Sequence, residues 1–254
     1  MKLKYYRHAT FLLEIDKTKI LVDPMYMKKG HMPPIPSTLN LRRNPLEIFP
    51  ENYPTMTDDD VVLITHHHFD HFDRKAAKEL PKHLLVISPV NGIKRLRRKG
   101  FERIIPIHQD QEFVAKNFKI YGLPVKHAQR LEKMLYKTGL GYLIQFSKGT
   151  VYVSGDTILF DALTERLERF HIDIAIFYAG AARIPLLGRH TFSTEEILSL
   201  IKKLKPGNSV IVHLDVLNHC TEDRNHVKAS IDSANLSSKV VFPLPSEEYF
   251  FELL

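Results

Sequence analysis

Four imidazoles and a carboxylate stand within one short run, Thr65-His66-His67-His68-Phe69-Asp70-His71. Imidazole and carboxylate are the side chains that zinc and similar divalent ions take. The run directly in front, Val61-Val62-Leu63-Ile64, is wholly apolar and largely β-branched, the pattern of a short buried strand. Behind it, Asp73 is placed to N-cap a helix through Leu80, which Pro81 stops. The polar run is therefore predicted to occupy a tight strand-to-helix loop. A strand end is a rigid platform that can hold ligands to the tolerance a metal needs. Affinity tags and loose metal-binding tracts are also rich in histidine. This run is internal, flanked by ordered elements, and contains an aspartate.

The rest of the chain alternates in character. Thr10 to Ile15 and Lys19 to Val22 read as strands separated by a polar turn. From Met25 to Asp60 no helical or alternating period appears, and six prolines interrupt it. A long irregular segment inside a compact domain is usually functional. This one, with Lys28, Lys29, Arg42 and Arg43, is expected to cover a substrate. Leu84 to Ile87 reads as a strand, Val90 to Lys99 as a basic helix ended by Gly100, and Glu112 to Lys126 as two or three antiparallel strands. Further strands are expected at Gly141 to Phe146, Thr150 to Val153 and Ile172 to Phe177. Phe160, Leu163, Leu167 and Phe170 mark an amphipathic helix. Ser193 with Glu196 forms a capping box for a helix stopped by Pro206-Gly207. Strand, helix and strand follow at Ser209 to Leu214, Glu222 to Ala234 and Lys239 to Phe242. Strands first, then α/β alternation, then the same again, suit two sheets packed face to face with helices outside, an α/β (α+β) fold. No composition shift marks a boundary, so residues 1–254 are read as one domain.

Composition narrows the setting. Cys220 is the single cysteine, so no internal disulfide can form, which suits a reducing compartment. No apolar run suits a signal peptide or a membrane span, and the expectation is a cytoplasmic protein without membrane contact. Lys and Arg exceed Asp and Glu by 36 to 29, a net charge of +7 that favours anionic partners. The basic stretch Lys94 to Lys99 reads better as a solvated helix face than as a nucleic-acid contact.

H-x-H-x-D-H after an apolar strand resembles the signature loop of the metallo-β-lactamase superfamily. The resemblance extends over nearly the whole chain. Arg7-His8-Ala9-Thr10 with Ile20-Leu21-Val22-Asp23-Pro24 is similar to the opening of the lactonase and phosphodiesterase branch. Leu123-Pro124-Val125-Lys126-His127-Ala128 resembles the segment carrying a third histidine. Tyr152-Val153-Ser154-Gly155-Asp156-Thr157 resembles the segment whose aspartate bridges two metals. Val210-Ile211-Val212-His213 resembles the last strand with its final histidine. The resemblance implies a four-layer αβ/βα sandwich. It implies two divalent ions per chain, zinc first and manganese or iron as alternatives. His66, His68 and His127 would hold one, Asp70, His71 and His213 the other, with Asp156 bridging. His219 competes with His213 for the last place, but His213 ends the clearer strand. His67 is expected to point away from the ligands. His8 is expected beside the metal loop as a supporting or substrate-contacting residue, and Asp23 and Pro24 as structural.

Such a centre hydrolyses with a dinuclear-metal-bound hydroxide. Asp70 is expected to orient that nucleophile and take its proton, and His190, before the capping box, to bind substrate or donate a proton. No G-x-S-x-G and no phosphate-binding G-x-x-x-x-G-K-[ST] is present. The fold hosts many substrates, so analogy does not choose one. An anionic small-molecule ester, lactone or phosphodiester suits the charge. The alternatives are a nuclease acting on RNA or DNA, for which no aromatic-basic platform is evident, and a non-catalytic metal-binding protein on the same fold.

Overall fold

Two seven-stranded sheets face each other across a shared apolar core. The computed structural model describes every residue except 16, 37–38, 51, 116, 128–138 and 254. The first sheet contains β1 (Lys2–Arg7), β2 (Thr10–Ile15), β3 (Thr18–Val22), β4 (Val61–Leu63), β5 (Leu85–Pro89) and β6 (Arg103–Ile107). The second contains β7 (Glu112–Val114), β8 (Phe118–Leu123), β9 (Gly141–Phe146), β10 (Gly149–Val153), β11 (Ile174–Tyr178), β14 (Asn208–Val212) and β15 (Val240–Val241). The last strand, β16 (Glu248–Phe250), returns to the first sheet beside β1, and β12 (Arg183–Ile184) pairs only with β13 (Gly188–Arg189). In space the sheets run β16-β1-β2-β3-β4-β5-β6 and β15-β14-β11-β10-β9-β8-β7.

Side-chain alternation along the strands builds the layers. Val61 and Leu63 on β4 enter the core between the sheets, while Val62 and Ile64 face outward. On that outer face Ala76 and Ala77 of α1 (Arg74–Glu79) and Leu96 of α2 (Ile93–Arg98) cover them. Ile174, Ile176 and Tyr178 on β11 likewise face the inner core, and Ala175 and Phe177 face out. There they meet α3 (Asp161–Leu167), α4 (Thr194–Leu204) and α5 (Arg224–Ser233). The order is helix, sheet, sheet, helix: the four-layer αβ/βα sandwich. Among the described residues no helix is long and apolar enough to cross a membrane.

β3 to β6 run parallel, as do β10, β11, β14 and β15. Parallel neighbours need crossover connections, so loops collect where these strands end. The basic helix begins later than its sequence suggests. Val90–Gly92 is a 3₁₀ turn, and the α-helix starts at Ile93. The strand β6 has no counterpart in the sequence reading. It is an edge strand with half its face exposed, and Pro106 sits in it where an edge tolerates a missing donor.

Among its described residues, the segment from Met25 to Asp60 is irregular, apart from a bridge between Met32 and Asn44. It is nevertheless held firmly. Arg7, fully buried, donates to the carbonyls of Glu47 (2.9 Å), Met25 (3.1 Å) and Met27 (2.8 Å). Asn218 accepts from Ile35 N and Asn44 Nδ2 and donates to the carbonyls of Ile35 and Asn40. Arg43 spends its guanidinium on the carbonyls of Gly30 and His31, so it braces the segment from within.

Candidate metal centre

The metal loop leaves the end of β4 and is fixed at both sides. Thr65 N and Oγ1 donate to the Asp23 carboxylate at 2.7 and 2.6 Å. Leu140 N donates to Thr65 O, and Tyr142 OH to Ile64 O. His71 N and Phe72 N both donate to His68 O, which winds the loop into a turn before Asp73 caps α1 through Ala76 N. His67 leaves this turn on the other side, as expected. Its Nε2 lies 2.7 Å from Ser88 Oγ, and its ring fills the space over Gly92, where a Cβ would fall 1.6 Å from it.

The second sheet supplies three more groups from its strand ends. His127 follows β8, Asp156 follows β10, and His213 follows β14. His66, His68 and His127 form one cluster, with His66 Nε2 and His127 Nε2 at 3.1 and 3.2 Å from His68 Nδ1. Asp70, His71 and His213 gather in a second, joined by His8. Asp156 lies between them. Its Oδ1 is 3.4 Å from both His71 Nε2 and His213 Nε2, and its Oδ2 is 3.7 Å from His66 Nε2. Asp70 Oδ2 is 3.7 Å from His71 Nε2. His219 lies outside these clusters, stacked on His190 at 5.2 Å, so the structure brings His213 and not His219 to the carboxylates. His190 in turn stands 5.3 Å from the His127 ring.

His8 is wholly buried, with a backbone φ of 58°. Its ring lies 3.7 Å from that of His213, and its Nε2 lies 3.6 Å from Asp70 Oδ2.

Asp23, expected from sequence to be structural, braces the cluster from behind. Besides Thr65, its Oδ2 accepts from His71 Nδ1 at 2.8 Å and from Tyr178 OH at 3.0 Å. The hydrogen bond at Nδ1 assigns the proton there and leaves the Nε2 lone pair of His71 facing Asp156 and Asp70. Thr65 Oγ1, which donates to Asp23, can accept from His66 Nδ1 at 3.1 Å, which sets the same tautomer on His66. His127 Nδ1 faces Asp156 O at 3.3 Å and likewise turns Nε2 inward. The available sequence signal was the position of Asp23, directly after a strand that pairs with the one carrying the metal loop.

Charge in the cluster is poised for cations. Burial disfavours a second proton on His71, but Asp156, Asp70 and Asp23 around it outweigh burial and hold its pKa well above the usual value, so a cation takes the Nε2 lone pair by displacing a proton from it. Burial raises Asp156, opposed by His71. Burial pushes His66, His127 and His213 well down, so their nitrogens keep lone pairs. The same cause takes His8 and His219 to about 4 and His190 to about 3. Buried polar atoms without partners are costly. Yet His71 Nε2, His213 Nε2 and Asp156 Oδ1 have none among the described residues. Two ligands on a tetrahedral zinc with bonds near 2.0–2.1 Å lie about 3.3 Å apart. The separations of 3.1 to 3.7 Å given above match that spacing. The donor set therefore fits divalent cations.

Comparison with known proteins agrees. The family described as "Beta-lactamase superfamily domain" matches residues 2–213. This chain belongs to the metallo-β-lactamase superfamily. Relatives match it over nearly its whole length. The UPF0173 protein YddR of Bacillus subtilis is 28% identical over 257 residues, covering 99% of this chain and all of that one. A UPF0173 metal-dependent hydrolase of Ignicoccus hospitalis is 28% identical over 265 residues, covering 99% and 98%. Among solved structures, an isothiocyanate hydrolase from Delia radicum gut bacteria superposes with a TM-score of 0.87 at 25% identity, covering 99% of this chain and 100% of that one. The chain is accordingly a metal-dependent hydrolase of this superfamily.

Proposed function

We propose that this metallo-β-lactamase relative hydrolyses a small anionic ester, lactone or phosphodiester at a two-cation centre. His66, His68 and His127 would hold one cation and Asp70, His71 and His213 the other, with Asp156 as the ligand they would share. The observation that carries this reading is the carboxylate of Asp156, whose two oxygens face different histidine clusters. Cations bound there supply Lewis acidity and lower the pKa of water to about 7. Zinc suits the donors first, and manganese or iron also fits.

The chain's own groups then divide the work. Asp70, at the His71 and His8 side, orients the attacking water and accepts its proton. Asp23 holds His71 in its ligating tautomer. His190, 5.3 Å from the His127 ring, is kept neutral by burial, which lowers its pKa to about 3. An imidazole that holds no second proton is a poor acid, so of the two roles expected from sequence, substrate binding fits better than proton donation.

The test is a turnover panel on zinc-, manganese- and iron-reconstituted protein. It contains an anionic lactone, a neutral lactone, bis(4-nitrophenyl) phosphate, a carboxylic ester, single-stranded RNA and DNA, and allyl isothiocyanate, the last because of the relative from Delia radicum gut bacteria. Faster turnover of the anionic small molecules than of neutral ones is the expected result. Turnover confined to nucleic acid or to the isothiocyanate would displace this reading.

A further inference from the structure

Beside the metal loop lies a groove of about 730 Å³. None of the candidate ligands lines it, but Phe69, which stands between His68 and Asp70, does. Phe69 and His68 are exposed, whereas His66, Asp70 and His71 are buried. The centre thus reaches solvent at His68, next to the residue that forms the groove wall.

The groove's lining is of two kinds. Met27, Met32 and Phe69 are apolar, and Lys28, Arg74, Lys75 and Lys78 are basic. Phe69 is 39% exposed, an apolar ring left uncovered in the cleft. Arg95, also in the lining, adds a further charge held in place by donating to His67 O at 2.6 Å. Of the two carboxylates along the groove, Asp73 is turned inward, accepting from Met27 N and Ala76 N, which leaves Glu79. Lys28, Arg74 and Lys78 have no ion-pair partner among the described residues, and with Glu79 as the one free carboxylate in the lining their charge stays in excess and favours an anion.

We propose that this groove binds the non-reacting end of a small amphipathic anion, with a phosphate-like head on Lys28, Arg74 and Lys78 and an apolar stem of a few carbons along Met27, Met32 and Phe69. The inference rests on the reading of a small anionic substrate and names where that anion sits. It places the recognised charge on one side of Phe69 and the reacting bond on the other, at His68. Binding energy gathered at a remote end of a substrate can position its reacting end.

The probe is hexyl phosphate, titrated into zinc-loaded protein with ¹³C-methyl methionine. Saturable shifts of the Met27 and Met32 methyls are expected. Inorganic phosphate alone and 1-hexanol alone should bind at least tenfold more weakly at these methyls. Arg74→Gln with Lys78→Gln, both surface positions on α1, should weaken hexyl phosphate at least tenfold without loss of zinc. Phe69→Ala should weaken hexyl phosphate but not inorganic phosphate. An unchanged Kd in the double variant overturns the proposal. So do shifts confined to the histidines, which would mean binding at the cations only. Response to phosphatidic acid vesicles but not to soluble hexyl phosphate would replace the small ligand with a lipid surface. The readout is binding, so a failed turnover panel with intact groove binding would refute the proposed substrate class and leave the groove standing.

Discussion

At the scale of single residues, Asp23 shows how a group that need not touch a cation can decide whether one binds. Four donors end on its carboxylate, from Thr65 N, Thr65 Oγ1, His71 Nδ1 and Tyr178 OH. Two of those partners come from the metal loop and one from the facing sheet, so Asp23 fixes His71 against both halves of the molecule. Asp23→Asn keeps the shape but can no longer accept every one of these bonds, and His71 loses its carboxylate partner. Metal affinity should fall about 10- to 100-fold, read by competition with a chromogenic chelator. Unchanged affinity would reduce Asp23 to a packing role. The ligand-type residues were legible because H-x-H-x-D-H is compact in sequence. Asp23 was not, because its partners lie 42, 48 and 155 residues away and no local pattern joins them. His213 and His219 were separable only in part. A strand ends at His213, but only the fold shows that His219 turns to His190.

At the scale of elements, the best-read parts carry local signals. The Ser193–Glu196 capping box is present in full, with Ser193 Oγ accepting from Glu196 N and the Glu196 side chain accepting from Ser193 N. Ser193→Ala should cost about 1 kcal/mol, measured as a shift of the urea midpoint. No shift would mean that α4 is held by packing alone. Most of the elements missed lack such signals, whereas β1, also not expected, does alternate from Lys2 to Tyr5. The strand β6 is half exposed and contains a proline, β16 is three residues long, and β12 with β13 pairs only two residues each. Tertiary pairing, not propensity, makes them strands. A second device at this scale is Asp110, which follows β6 and reaches Arg166 on α3. Two Arg166 nitrogens donate to it at 2.7 and 2.8 Å, and Tyr121 OH at 2.9 Å. The Arg166 hydrogen bonds hold its pKa below the usual carboxylate value. A depressed folded pKa contributes stability above the unfolded pKa of about 3.9 and loses it as pH falls through the folded value. The pair is substantially exposed, so the effect should be small. The Tm advantage of the unmodified chain over Asp110→Asn should therefore be present at pH 7 and shrink below about pH 4. An advantage that grows on acidification would contradict the assignment.

At the scale of the molecule, the centre straddles the sandwich. His66, His68, Asp70 and His71 come from the first sheet's strand end, and His127, Asp156 and His213 from the second. Cations held there would tie the two sheets together. Saturating metal should raise Tm, since a ligand at 100 times its Kd adds about 2.7 kcal/mol, and chelation should reverse the gain. The α/β sandwich was legible because apolar runs and helical stripes alternate in two blocks. The embrace of the Met25 to Asp60 segment was not, because the side chains that pin it, Arg7 and Asn218, lie outside it. The central claim is that Asp156 joins two cations in one centre. Its most direct measurement is elemental analysis of Asp156→Asn beside the unmodified protein, each after reconstitution and desalting. The amide removes the negative charge that offsets repulsion between neighbouring cations and replaces one oxygen with a weak nitrogen. Close to two divalent ions per unmodified chain and a clear fall in the variant, with hydrolysis down more than tenfold, is the result expected. Two ions retained in the variant with most of its activity, or no more than one in the unmodified chain, would contradict it.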